Sequence, residues 1–211
     1  MASGYEQTIW NYFVDKLGNE YGVAGLMGNL FAESGLYPNN LQNTYNNSLG
    51  MTDEEYTNAV NNGTYTASQF INDEAGYGIA QWTYWSRKEG LYEYFQSGTY
   101  TGINDIFLQM DYLWYELNWQ YNSVLQVLKS ATTIREASNA VLHDFEDPAD
   151  QSTAVENLRE QYSIGYYNDF VGTYEGGDDD PSVTTKTKRK NYNFTLFNHR
   201  RRKQWIKGMM Y

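Results

Sequence analysis

The segment VAGLMGNLFAES, residues 23 to 34, most limits what this chain can fold into. Leu26, Met27, Leu30 and Phe31 keep helical spacing, while Ala24, Gly25 and Gly28 put small residues between them. A helical glycine costs about 1 kcal/mol relative to alanine. A helix that keeps such residues is expected where another helix must approach closely, which predicts a central, buried element. Gly35 and Pro38 stop it.

The rest of the chain reads as helices arranged around that one. Ile9, Phe13 and Leu17 recur every four residues, with Trp10 and Val14 beside them, so a first helix is predicted over about residues 5 to 17, ended by Gly18. Residues 41 to 76 are polar, but Thr52-x-x-Glu55 and Thr66-x-x-Gln69 are capping-box patterns separated by Asn62-Gly63, which predicts two short helices in an inserted lobe. Further helices are predicted at 84 to 97, 104 to 118, 121 to 130, 133 to 145 and 153 to 172, the last on the spacing of Val155, Leu158 and Tyr162. The fold class is mainly α: a single helical domain over residues 1 to 175.

Charge divides the chain. Residues 1 to 180 hold all 26 acids and six bases, whereas residues 181 to 211 hold nine bases and no acid. A linker is predicted over 176 to 185, rich in Gly, Asp, Ser and Thr, followed by a basic C-terminal tail over 186 to 211. In that tail Tyr192, Phe194 and Leu196 alternate as a short strand does. The flanking bases suit anionic polymers, while the acidic domain repels nucleic-acid phosphates, so no nucleic-acid partner is expected. No signal peptide and no membrane insertion are expected either.

Composition also narrows the chemistry. Cysteine is absent and histidine occurs only at His143 and His199, so thiol nucleophiles, Ser-His-Asp triads and thiolate or histidine metal sites lack material. Neither a metal nor a cofactor is expected. Carboxylates remain, and Glu33 is conspicuous among them because it ends the apolar helix just before Gly35. The negative end of a helix dipole and apolar surroundings both favour a protonated carboxyl, which suits a general acid for glycosidic cleavage. Downstream, GYGIAQWTYW, residues 76 to 85, surrounds Tyr77 with glycines and follows it with Gln81, Trp82, Tyr84 and Trp85. Such a segment offers flat faces and one versatile amide to sugar rings. Asp73 and Glu74, just before it, are candidates for a second catalytic carboxylate.

Together, the Glu-Ser-Gly at a helix end and the later Gly-Tyr-Gly-Ile-Ala-Gln-Trp resemble the Glu-Ser and Gly-Leu-Met-Gln signatures of goose-type lysozymes and lytic transglycosylases, with Ala80 in place of the transglycosylase methionine. The wording around them, YGVAGLMGNLFAESGLYPNNLQN, AGYGIAQWTYWSRK and FEDPAD, is similar to the phage tail lysozyme family over about residues 5 to 172. The resemblance implies a lysozyme-like fold acting on bacterial peptidoglycan at the β-1,4 bond between N-acetylmuramic acid and N-acetylglucosamine. It implies Glu33 as general acid, Ser34 as its motif neighbour and Gln81 as a cleft residue. It also implies a protein carried on a phage tail or released to the host wall, while the basic tail reads from its own residues either as a solubilising end or as an attachment segment for other virion proteins or anionic wall polymers. Lytic transglycosylation of the same bond, or glycan binding without catalysis, are the alternatives. His143 is expected to be structural, and Glu146, after a helix end, is an outside candidate for the site.

Overall fold

The structure is a computed structural model that describes residues 3–173. The linker expected over 176 to 185 and the basic tail expected over 186 to 211, with its short strand, lie outside the described residues. Those residues form ten α-helices and no strand: α1 Glu6–Leu17, α2 Glu20–Ser34, α3 Asn43–Leu49, α4 Asp53–Asn62, α5 Ala67–Asn72, α6 Trp85–Gln96, α7 Ile106–Trp119, α8 Asn122–Ser130, α9 Ile134–Val141 and α10 Thr153–Phe170. Between α9 and α10 runs a π-helical turn, Leu142–Glu146. The mainly helical fold class is therefore what the residue pattern leads one to expect.

Helix α2 is the axis of the fold, packed by α1, α8, α9 and α10. It starts earlier than the apolar pattern, because the Asn19 side chain accepts a hydrogen bond from the Tyr21 N–H and also donates to the Ala131 carbonyl, 2.9 Å away. Its two central glycines are sites of close approach. A Cβ on Gly25 would lie 2.5 Å from that of Ala137 in α9, and one on Gly28 would overlap Ser163 Oγ in α10. Leu26, Met27 and Leu30 fill the remaining directions with fully buried side chains.

Two elements differ from expectation. The polar lobe has three short helices rather than two: α4 and α5 carry the capping boxes foreseen for them, but α3 buries no residue and so leaves no apolar signal. In α10 the buried face carries Arg159 and Ser163, while Leu158 points outward at 47% exposure. The glycine-lined surface of α2 admits only a small residue opposite Gly28, so Ser163, not Leu158, takes that place.

Candidate active site

Glu33 occupies the last turn of α2, one residue before Ser34 and the left-handed Gly35 (φ 63°). The apolar surroundings expected for it are not what it has: its Oε1 is ion-paired with the guanidinium of Arg159 from α10. That guanidinium also donates to the carbonyl and side-chain oxygens of Asn29, at 3.2 and 3.3 Å. Asn29 is fixed in turn by donating to the Gly25 carbonyl (2.8 Å) and to Ser138 of α9 (3.0 Å to its carbonyl oxygen). Three helices thus orient one carboxylate. Ser34 is buried, its hydroxyl 2.9 Å from the Ile79 carbonyl and accepting from the Leu36 N–H, so it clasps the helix end to the next segment.

That segment is a tight reversal. Tyr77 and Trp82 exchange backbone hydrogen bonds of 3.2 and 3.0 Å, with Gly78 at φ 76° and Gln81 at φ 44°. A non-glycine residue in this region stores strain and marks positions that the surroundings enforce. Buried Gln109 of α7 holds the reversal by accepting from the Ile79 N–H (2.9 Å) and donating to the Pro38 and Ile103 carbonyls. The Gln81 amide donates to Asn40 Oδ1 at 2.8 Å, which fixes its orientation at the edge of a groove.

The groove has a volume of about 920 Å³ and is open to solvent. Glu33, Ser34, Gln81 and Tyr84 line it, with Arg87 and Gln120 beyond. So does Glu146, delivered by the π-helical turn, where the Asp147 N–H reaches back five residues to the Leu142 carbonyl (3.0 Å) and Asp147 takes a left-handed φ of 45°. Glu146 Oε1 is buried with no hydrogen-bond partner among the described residues. Burial first, then the neighbouring Glu33, pushes its carboxyl up to about 8, against the pull of Arg87 and Arg159. His143 braces the turn, 2.9 Å from both Gln151 and Glu156, as a structural histidine does.

The other candidates fall elsewhere. Asp73 does not reach the groove: it is buried and ion-paired with Lys88, and it accepts hydrogen bonds from the hydroxyls of Tyr56 (2.5 Å) and Tyr65 (3.3 Å). Glu74 is exposed and does not line the groove. Tyr77 and Trp82 are fully buried and offer no face to a ligand, because the reversal folds them inward. Tyr77 meets Thr57 Oγ1 at 2.7 Å, and the Trp82 indole N–H donates to Glu116 at 2.7 Å. Trp85 is 57% exposed but stands outside the groove. Of the aromatics expected to form a sugar wall, Tyr84 alone lines it. The pairing of Glu33 with Glu146 has only a faint signal in the sequence, an acid between Phe145 and Pro148 where a helix ends.

Among the described residues there is no group of three or more metal-ligating side chains, and no helix is long and apolar enough to cross a membrane. Compared with known proteins, residues 5–192 match the family described as phage tail lysozyme. No curated protein and no solved structure matches the chain.

Proposed function

Because this chain belongs to the phage tail lysozyme family, we propose that it is a muramidase that hydrolyses the β-1,4 bond between N-acetylmuramic acid and N-acetylglucosamine in bacterial peptidoglycan. The observation that carries the reading is Glu33 at the end of α2, opening into a groove that also receives a second carboxyl. Glycoside hydrolysis needs two such groups, one to protonate the leaving oxygen and one to support the positively charged transition state or activate water. The groove is large enough to seat a glycan segment, Gln81 and Tyr84 line it, and Ser34 holds its floor. Asp73 and Glu74 have no part in this reading, and Glu146 serves as the second carboxyl. Action from a phage tail, or after release to the host wall, is part of the same proposal, with the basic tail serving as contact to virion proteins or anionic wall polymers.

Digestion of purified glycan strands in heavy-oxygen water, followed by mass analysis of the fragments, tests the reaction. Label at each new reducing end is the expected result. Unlabelled anhydro-muramyl ends would instead mean lytic transglycosylation, in which the sugar's own hydroxyl attacks. The variant Glu33→Gln is expected to keep its fold and bind glycan while losing about 10²-fold or more in kcat. Parental activity in that variant would leave only the glycan-binding alternative for the Glu33 side chain.

A further inference from the structure

Exposed aromatic side chains scattered singly over a surface need no explanation. Here the two most exposed large hydrophobic side chains among the described residues are Trp119, at 75%, and Tyr84, at 72%, and both belong to the same end of the groove. Tyr84 lines that end from the N-cap of α6, together with Ser86, Arg87, Gln120 and Tyr121. Trp119 is the last residue of α7 and immediately precedes Gln120.

Ring contacts and an ion pair fix where Trp119 stands. Helices α6 and α7 run antiparallel: Tyr94 meets Tyr112 at 5.2 Å between ring centres, and farther along α7 Glu116 takes up Arg87, which lies earlier in α6. Continuing in the same direction, α7 arrives at Trp119 and Gln120 where α6 begins at Tyr84. The Arg87 guanidinium also lies 5.5 Å from the centre of the Tyr121 ring, which pins the end of α7 to the first turn of α6. Trp119 rests against Tyr115 at 6.4 Å, and Tyr115 against Tyr94 at 5.8 Å. A row of rings thus braces the indole while most of its surface faces solvent.

Charge at this end of the groove is already matched. Arg87 is committed to Glu116 at 2.6 and 3.0 Å, and the other charged side chains that line the groove among the described residues are the carboxyls of Glu33, Glu146 and Asp147. An anionic ligand finds no free cation there. What the end offers is two flat ring faces, the Ser86 hydroxyl and the Gln120 amide, all exposed. That combination suits pyranose rings, whose C–H faces stack on aromatics while their hydroxyl and acetamido groups hydrogen-bond at the edges.

We propose that Tyr84 and Trp119 form a subsite for the part of the glycan strand that continues beyond the bond that is cut, so that the protein prefers long strands to short ones. This rests on the muramidase reading and adds to it a determinant of substrate length. A short oligosaccharide that spans only Glu33 and Glu146 leaves the two rings uncovered. A longer strand continues onto them and gains the stacking, and rings already braced in place lose little freedom when it does.

The test compares hydrolysis of purified glycan strands, sorted into long and short fractions, by the parent, Trp119→Ala, Trp119→Phe and Trp85→Ala. Trp85 is also exposed, at 57%, but stands outside the groove, so it controls for the loss of any surface indole. Truncating an exposed side chain opens no cavity, and melting curves check that each variant is folded. Trp119→Ala is expected to lower the ratio of kcat/KM on long over short strands by about tenfold, mainly through KM, with Trp119→Phe recovering part of it. Trp85→Ala is expected to keep the parental ratio. An unchanged ratio in Trp119→Ala, or an equal fall in Trp85→Ala, overturns the proposal. Self-association of the parent that Trp119→Ala abolishes, with the ratio unchanged, would identify the patch as an interface between copies instead. A parent that releases no fragments from any strand refutes the muramidase reading by itself, and binding then decides the subsite. A shift in tryptophan emission on adding long strands that is lost in Trp119→Phe supports it; no shift, or one that persists in that variant, overturns it.

Discussion

Glu146 ties the stability of the fold to pH at a single residue. Its ordinary value is 4.5 and its folded value is about 8, so between those limits the folded chain keeps a proton that the unfolded chain releases. Stability linked to this group is therefore unaffected below the lower value, falls as pH rises through the window and is fully lost above it. Glu146→Gln never carries the buried charge. Its melting temperature is expected to match that of the parent near pH 4 and to exceed it at pH 9, by the equivalent of about 5 kcal/mol. Thermal unfolding at the two pH values checks this, and an equal difference at both would mean that the carboxyl is not protonated in the folded chain. Little of it is legible in the sequence, because the pairing of Glu33 with Glu146 depends on α2 and the π-helical turn meeting across more than a hundred residues. Glu33 is legible because its signal is local: an apolar helix, an acid and a glycine in succession.

At the scale of helices, the same contrast between local and distant causes recurs. The capping boxes of α4 and α5 and the breaker after α2 are written in three or four consecutive residues, and the structure has them where the sequence puts them. The aromatic segment at 76 to 85 misleads, because alternating glycines and aromatics look alike whether a reversal turns outward to a ligand or inward to the core. Here Gln109 and Glu116, both in α7, take up its polar groups and draw Trp82 inside. Helix contacts make a sharper test. Gly28→Ala forces a methyl to within 2.5 Å of the Ser163 backbone nitrogen, and is expected to cost about 1–3 kcal/mol. Gly165→Ala, in α10 but with nothing within 4 Å, is expected to add about 0.5–1 kcal/mol of stability. Urea unfolding of both variants reads the difference; equal effects would mean that α2 and α10 are not as close as described.

For the whole molecule, charge asymmetry is the feature visible from composition alone. The described helices belong to a compact unit that spans Met1–Gly176. Removing residues 181 to 211 deletes nine bases and no acid, and is expected to leave the melting temperature unchanged. Activity on intact cells is expected to fall more at low salt than at high salt, since the acidic domain alone is repelled by anionic wall polymers. A lowered melting temperature would show that the domain extends past that point. Within the domain, the π-helical turn has a consequence for descent as well as for chemistry. An α-turn closes its hydrogen bond over four residues and this turn over five, so a chain one residue shorter between Leu142 and Glu146 closes the same turn as ordinary α-helix and leaves the ten helices in place. A single-codon insertion or deletion at this one turn therefore reshapes the groove wall without disturbing the helical frame.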